Sequence, residues 1–262
     1  MTRKIYYDGI VRTVASPGAV ADWVLVEGGR VLATGRGAPD FPGAARIDLA
    51  GRTVVPGFID PHGHFPESGF NALFRIDLAP PPVGSCGSLH QVLERISRTP
   101  GTGWVHGVGF DHTALPEGRF PTRDELDGAM CDRPVWLIHA SGHAGALDTM
   151  AMDLLDVRGD GYLAGLSAMG ELGSTDFDID EIQFAAGIAA AGTEYLSHGV
   201  TLTQNSWTER RMLDRFVAID AAGCCPVACC RTQTEFVDEA ASKFDPPDHG
   251  PTQTLHRRFV SR

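Results

Sequence analysis

The chain has 262 residues, of which 43% are hydrophobic and 21% are charged, and its formal net charge is −11. This composition is typical of a folded globular protein, and it excludes a disordered or fibrous chain. The acidic balance argues against a nucleic-acid partner, because phosphate binding needs clustered Lys and Arg side chains. No apolar run reaches the roughly 18–20 residues that span a bilayer. The first residues, MTRKIYYDG, lack the apolar segment of a signal peptide, so we expect a cytoplasmic protein without a membrane partner.

Short β-rich segments fill the first 55 residues. They are Ile5–Tyr7, Ile10–Val14, Trp23–Glu27, Arg30–Thr34 and Ala45–Leu49. Gly28 and Gly29 form the expected hairpin turn between two of them. This pattern predicts a small β-sandwich-like domain over residues 1–55.

From residue 53 onwards, predicted strands alternate with predicted helices, which indicates an α/β fold built from βαβ units. The predicted strands are Val54–Asp60, Trp104–Phe110, Pro134–Ala140, Val200–Thr203 and Pro226–Arg231. The predicted helices are Ser88–Arg98, Asp178–Ser197, Thr208–Ala222 and Thr234–Phe244. A closed eight-stranded barrel takes about 250 residues. We therefore expect residues 56–244 to form an incomplete TIM-type (β/α) barrel and the polar, aperiodic residues 245–262 to form a disordered tail.

The clearest chemical signal is the segment VVPGFIDPHGH at residues 54–64. Side chains alternate along a strand, so His62 and His64 point to the same face. They end the first predicted barrel strand, where barrel enzymes build their active sites. Two neutral imidazoles on one face supply half of a site for zinc or a similar divalent ion. The alternative is a pair of exposed loop histidines.

This segment resembles the metal-dependent amidohydrolase superfamily, in which a His-x-His on the first barrel strand binds metal. Four further stretches are similar to its amidohydrolase family 3 branch: GVGFD at 107–111, FPTRDELD at 120–127, DRPVWLIHASGH at 132–143 and HGVT at 198–201. The resemblance covers residues 5 to 232 approximately. It implies hydrolysis of a C–N bond in a small amide or cyclic amide. A divalent ion, with zinc as the expected metal, would activate the water and polarise the carbonyl.

The resemblance also implies ligands on later strands: histidines on the fifth and sixth and an aspartate on the eighth. The residues 224–232, in the fifth predicted strand, contain no histidine, and no sixth or eighth strand is predicted. Family members carry an acidic residue near position 171, so Glu171 is the candidate third metal ligand. The alternative for Glu171 is a solvated loop carboxylate.

Candidate substrate-binding residues follow the second and third predicted strands. The resemblance assigns substrate contact to His143, and the placement of His139 and Asp111 at strand ends suggests the same role for both. His112, next to Asp111, is a candidate for the same role. The alternative for these histidines is a core or rim position held by backbone hydrogen bonds. His198 precedes a glycine at a helix end, where an imidazolium favours the helix dipole.

Three hypotheses remain open from the sequence. The leading one is a metal-dependent hydrolase that acts on a C–N bond. The second is a non-catalytic remnant of such an enzyme that lacks the later metal ligands and the catalytic carboxylate. The third is a homodimer that completes the barrel in trans.

Overall fold

The computed structural model describes residues 3–165, 179–205, 210–221, 223, 225–226 and 228–231. Their contacts divide the chain into two compact units. The first is drawn from residues 1–64, 193–208 and 226–262, and the second from residues 65–192 and 209–225. Among the described helices, none has both the length and the apolar character needed to cross a lipid bilayer.

The N-terminal part of the first unit consists of two small sheets. One sheet has the strand order β5-β4-β1-β6 and the other has the order β3-β2-β7. Their strands are β1 (Lys4–Tyr7), β2 (Ile10–Arg12), β3 (Val20–Ala21), β4 (Trp23–Glu27), β5 (Arg30–Gly35), β6 (Ala45–Asp48) and β7 (Thr53–Val54). Tyr6 and Val24 from the first sheet share one buried cluster with Val11 and Ala21 from the second. The expected β-rich region is therefore present, with its core between residues of both sheets.

The first unit also contains a parallel three-stranded sheet made of β8 (Phe58–Gly63), β14 (Val200–Asn205) and β15 (Ala228–Arg231). β14 lies in the middle of this sheet. Gly57, just before β8, lies so close to β14 that a Cβ atom there would be 2.1 Å from the Thr201 hydroxyl oxygen. The predicted strand Val54–Asp60 is therefore two strands, β7 and β8, which are separated by residues 55–57 and belong to different sheets.

The second unit is built on a mixed five-stranded sheet with the order β13-β12-β11-β10-β9. β9, β10 and β11 run parallel, whereas β12 and β13 are antiparallel to their neighbours. The strands are β9 (Ile76–Asp77), β10 (Val105–Phe110), β11 (Val135–His139), β12 (Ala144–Leu147) and β13 (Tyr162–Ala164).

Both faces of this sheet are covered, because successive β11 residues enter different cores. Val135 and Leu137 join a cluster that includes Val92 and Leu126 from two helices on one face. Trp136 and Ile138 join a second cluster on the other face, with Ala151 and Met152. The period-2 alternation of a strand thus explains the continuously buried run that the sequence shows here.

Six described α-helices complete the fold: α1 (Glu67–Phe74), α2 (Leu89–Ser97), α3 (Arg123–Ala129), α4 (Thr149–Leu155), α5 (Glu181–Ser197) and α6 (Arg210–Ala221). Thr122 and Glu125 form a full capping box at the start of α3, in agreement with their sequence spacing. At α2, Ser88 accepts from the Gln91 amide, whereas the Gln91 side chain accepts from the Gly87 amide rather than from that of Ser88. The predicted helix Thr234–Phe244, and the predicted tail, lie outside the described residues.

The described strands fall into separate sheets, with β10 and β11 in a different sheet from β8, β14 and β15, and the expected partial barrel stays a prediction. The sequence pattern identifies strands but not their partners, and the antiparallel strands β12 and β13 were missed. The described strands form open sheets, so the α/β class is confirmed and a closed barrel is not observed among them.

Candidate metal centre

His62 lies within β8 and His64 follows its last residue, Gly63. Both histidines are exposed, and their ring centroids are 5.8 Å apart with the ring planes at 87°. Two imidazoles bound to one tetrahedral zinc at 2.0–2.1 Å would have centroids about 5 Å apart. The pair is therefore close to the spacing that one divalent ion requires.

Gly63 is required at this position because three side-chain oxygens surround its Cα. A Cβ atom there would lie 2.5 Å from Asp60 Oδ2, 3.1 Å from Thr203 Oγ1 and 3.2 Å from Tyr195 Oη. Any residue with a Cβ atom at position 63 would therefore have to displace the Asp60 carboxylate. The glycine of the His-x-His motif thus allows β8 to pack against a polar cluster.

This polar cluster holds the end of the histidine strand. Asp60 Oδ1 accepts a hydrogen bond of 3.1 Å from the His62 backbone amide. Tyr195 donates its hydroxyl to the Asp60 carboxylate and accepts from Thr203, which is fully buried. Burial raises the pKa of Tyr195, and the nearby charge of Asp60 raises it further. Tyr195 therefore stays protonated and remains a donor to Asp60.

Sequence reasoning missed this cluster. Asp60 stands two residues before His62, so its proximity could have been anticipated. Tyr195 and Thr203 carried no signal, because their approach depends on the pairing of β8 with β14.

Among the described residues, no third His, Cys, Asp or Glu side chain forms a metal-sized group with His62 and His64. A catalytic zinc site has three protein ligands and one open position. The described residues thus supply two of the three protein ligands of such a site. Glu171, the predicted third ligand, lies outside the described residues.

A second group of potential ligands lies at the ends of β10 and β11. The group consists of Asp111, His112 and His139, which each offer one ligand atom. These three atoms lie within 4.8 Å of one another, and all three residues are half-buried. The Asp111 carboxylate is 3.4 Å from His139 Nε2. Sequence analysis assigned Asp111 and His139 to substrate binding, and the structure brings them together.

Asp111 is held by the residue two positions after it. Its Oδ1 accepts from the Thr113 amide at 2.9 Å and from the Thr113 hydroxyl at 2.7 Å. These two hydrogen bonds, the hydroxyl's first, lower the pKa of Asp111, and His139 adds to the effect. Asp111 is therefore a fixed, ionised carboxylate near neutral pH.

His143 is exposed in the turn between β11 and β12. Its backbone amide donates to Ser141 Oγ at 3.2 Å, and its carbonyl accepts from the Gly165 amide at 2.8 Å. His143 is not part of the Asp111 group. β11, which ends at His139 and precedes His143, lies in a different sheet from β8. The roles of His139 and His143 in substrate binding stay predictions.

The sequence model of the amidohydrolase family matches residues 45–253, which is most of the chain. The chain therefore belongs to the amidohydrolase family.

Two curated relatives extend this result. An N-substituted formamide deformylase of Arthrobacter pascens is 40% identical over 153 residues, which cover 56% of this chain and 28% of the relative. The putative amidohydrolase YtcJ of Bacillus subtilis is 26% identical over 222 residues, which cover 79% of this chain and 41% of the relative. The chain thus spans less than half the length of these relatives.

Solved structures with the same fold include two uncharacterised metal-dependent hydrolases, from Pyrococcus horikoshii and Pyrococcus furiosus. Their TM-scores are 0.71 and 0.68, and their sequence identities are 21% and 24%. Each covers 88% of this chain, which matches 48% and 50% of their own lengths. At this identity the similarity shows the fold.

Proposed function

We propose that the chain is part of a metal-dependent hydrolase that cleaves a C–N bond in a small amide or cyclic amide. Membership of the amidohydrolase family supports the reaction class. The relative at 40% identity is named for its action on N-substituted formamides, so a formamide is the first substrate class to test. The observation that carries the proposal is the close pair of imidazoles at His62 and His64.

In this proposal His62 and His64 hold the ion, and zinc is the expected metal because imidazole suits it. A bound divalent ion supplies Lewis-acid polarisation of the carbonyl and a more acidic water. Asp60 fixes the backbone at the start of His62 by accepting from the His62 amide. Glu171 remains the proposed third ligand, and His143 the proposed substrate contact.

We also propose that the parallel sheet of β8, β14 and β15 is the first part of a TIM-type barrel. β14 and β15 are consecutive parallel strands joined through α6, as in a βαβ unit, and α5 precedes β14 in the chain. The β-rich residues 1–55 would be the sandwich-like domain ahead of this partial barrel. The cytoplasm stays the proposed compartment.

A second candidate function is that of a non-catalytic remnant. It is favoured by the finding that, within the described residues, His62 and His64 have no third ligand close by. A homodimer in which a second copy completes the site is the remaining possibility. This alternative keeps the small-molecule substrate and predicts a particle with twice the mass of one chain.

Metal analysis and a hydrolysis assay separate these functions. Purified protein should retain about one zinc per chain after dialysis and should release amine and formate from an N-substituted formamide. His62→Ala and His64→Ala should each lose activity and one equivalent of zinc relative to the unaltered chain. His90→Ala, a change at an exposed histidine on α2, should retain both. Sub-stoichiometric zinc without turnover would support the remnant, and a monomeric sedimentation mass would exclude the dimer.

A further inference from the structure

We propose that Asp111, His112 and His139 bind a divalent transition-metal ion through a site of their own. This inference goes beyond the proposed hydrolase function, because it does not depend on His62, His64 or any activity. It rests on how the strands place the three side chains, on the buried nitrogens of the two histidines, and on their immediate surroundings.

Strand pairing brings the three donors together. β10 and β11 are parallel neighbours, and Phe110 is the register partner of His139 after an irregularity in β10. The Ala140 amide donates to the Phe110 carbonyl at 2.8 Å, which extends the pairing beyond β11. Asp111 then caps the short 3-10 helix His112–Ala114, so that Asp111 and His112 turn back beside His139. The convergence is thus built into the sheet edge.

The Asp111 carboxylate is oriented for one further ligand. Both hydrogen bonds from Thr113 go to Oδ1. Oδ2 accepts no hydrogen bond from the described residues and is the oxygen left for an ion. Outer hydrogen bonds of this kind fix ligating carboxylates in metal sites.

Each of the two histidines buries one ring nitrogen. Among the described residues, His112 Nδ1 has no hydrogen-bond partner, and His139 Nε2 faces Asp111 Oδ1 at 3.4 Å. A buried polar atom left unpaired costs about 1–3 kcal/mol. Coordination would satisfy such an atom, which is why we place an ion rather than an apolar ligand here.

Ser141 provides the outer partner that a ligating histidine needs. His139 Nδ1 lies 2.8 Å from Ser141 Oγ. The Ser141 backbone amide donates to the same Nδ1 at 3.1 Å, so this nitrogen is an acceptor in the structure. Coordination of an ion by Nε2 would move the ring proton to Nδ1, which would then donate to the Ser141 hydroxyl oxygen in place of this hydrogen bond from the amide. The Ser141 Oγ also accepts from the His143 amide, so its position is fixed.

Phe120 forms an apolar wall behind both rings. Its centroid is 4.8 Å from that of His112 and 5.7 Å from that of His139. The edge of Phe120 is in turn packed against Tyr162, at 4.9 Å between centroids. This packing limits rotation of the imidazoles and keeps them oriented towards Asp111.

The donor set defines the class of ion. Two imidazoles and one carboxylate suit zinc, cobalt, nickel or copper, whereas magnesium and calcium prefer oxygen ligands alone. Three protein ligands leave at least one position open on a tetrahedral ion. We therefore expect reversible binding with an exchangeable fourth ligand.

Cobalt(II) titration of the full chain tests the site, because the visible spectrum of cobalt reports its coordination geometry. The experiment uses a His62→Ala/His64→Ala background, in which the pair on β8 is removed. We expect one cobalt per chain, a tetrahedral visible spectrum, and displacement of cobalt by zinc. Failure of this background to bind cobalt would overturn the proposal.

Single changes in that background identify the ligands. Loss of outer hydrogen bonds weakens metal sites about 10–100-fold, so loss of a ligand in Asp111→Asn or His139→Gln should weaken cobalt binding by more than about 100-fold. Ser141→Ala keeps all three ligands and should weaken binding by about 10–100-fold. His90→Gln, at an exposed histidine of the same unit, should have no effect. Circular dichroism checks that each variant is folded. Unchanged cobalt affinity in Asp111→Asn, His139→Gln and Ser141→Ala would contradict the proposed site.

Discussion

A Cβ atom on Gly69 would lie 2.0 Å from the carbonyl oxygen of Gly187, so α1 and α5 cross with their backbones in contact. A Cβ atom on Gly187 would lie 2.2 Å from the Phe70 ring. Both glycines are buried, and Phe70 packs on Phe184 at 5.4 Å between ring centroids. The crossing is therefore possible only because both contact positions, Gly69 and Gly187, are glycines.

Gly69→Ala should destabilise the protein by about 2–3 kcal/mol, because the added methyl group must displace the α5 backbone. Urea unfolding measures the change in the free energy of unfolding. Gly128→Ala is the matched control, since Gly128 is an exposed residue of α3 with open space around its Cα. That change should stabilise the protein by up to about 1 kcal/mol through helix propensity. Equal effects of the two substitutions would show that the crossing is loosely packed.

Asp148 lies between β12 and α4 in the chain and is 1% exposed. Its side chain links β11 to α4 through hydrogen bonds. Its Oδ1 accepts from the Val135 amide at 3.0 Å and from the Ala151 amide at 2.8 Å. Asp148→Ala removes the cap of α4 and leaves the Val135 amide unpaired, at a combined cost of about 3 kcal/mol. Asp148→Asn retains the Oδ1 acceptor and should cost less than Asp148→Ala. Thermal and urea unfolding at neutral pH would reveal the order, and the reverse order would contradict the assigned hydrogen bonds.

Burial raises the pKa of Asp148, although its hydrogen bonds from Val135 and Ala151 oppose the rise. The folded protein then holds this proton more tightly than the unfolded chain does. The resulting contribution to stability is present below the unfolded pKa of about 4 and is lost as pH rises through the folded pKa. Asp148→Asn should remove this slope, whereas Asp153→Asn, at an exposed position of α4, should keep it. Urea unfolding of both variants and of the unaltered protein, at several pH values between about 3 and 7, measures this dependence of stability on pH.

Glu125 should stabilise the start of α3 only while it is ionised. Hydrogen bonds from Arg119 and then from the Thr122 amide lower the pKa of Glu125 to about 2. This stabilisation is present above the unfolded pKa of about 4.5 and is lost as pH falls through about 2. The pair is partly exposed to solvent, so Glu125→Gln should cost only about 1 kcal/mol at pH 7.

The matched control for Glu125 is Asp124→Asn, which removes one charge from the same helix turn at a side chain that is 85% exposed. It should change stability by less than about 0.5 kcal/mol. The difference between the two variants at neutral pH should disappear near pH 2. A difference that persists at that pH would mean that Glu125 contributes by packing and not by charge.

Tyr195→Phe tests the polar cluster behind the proposed histidine site. It removes the hydroxyl donor to Asp60, and Asp60 can then rotate away from the His62 amide. Zinc affinity measured by competition with a chromogenic chelator should fall by about tenfold, since outer contacts of metal sites have effects of that order. Tyr7→Phe, in β1, should leave the affinity as it is. If Tyr195→Phe leaves the zinc affinity unaltered, the polar cluster does not contribute to metal binding.

The sequence predicts elements whose boundaries are signalled locally. The caps at Ser88 and Thr122 place α2 and α3 to within one residue. His198 is also found as predicted at the end of α5, where its Nδ1 lies 2.9 Å from the Glu194 carbonyl oxygen. By contrast, α1 was missed because Pro66 provides no side-chain cap, and tertiary packing of Phe70 stabilises it. β12 was missed because its sequence, AGAL, has little strand propensity.

The candidate sites show the same division. The spacing of His62 and His64 is a local property, and the period of a strand is enough to predict their common face. The contact of Tyr195 with Asp60 joins residues 135 positions apart (195 minus 60), and no local pattern encodes it. The meeting of Asp111 with His139 depends likewise on which strands pair.

The pairing of β8 with β14 has a consequence for the order of folding. Phe58 is the register partner of Val200, so these partners are 142 residues apart (200 minus 58). Closing a loop of that length in an unstructured chain costs several kcal/mol of entropy, and contacts of long range form slowly. The intervening sheet of the second unit, whose strands are near neighbours in the chain, should therefore assemble first. During synthesis His62 and His64 emerge before β14, and they acquire this neighbouring strand only after that assembly is complete.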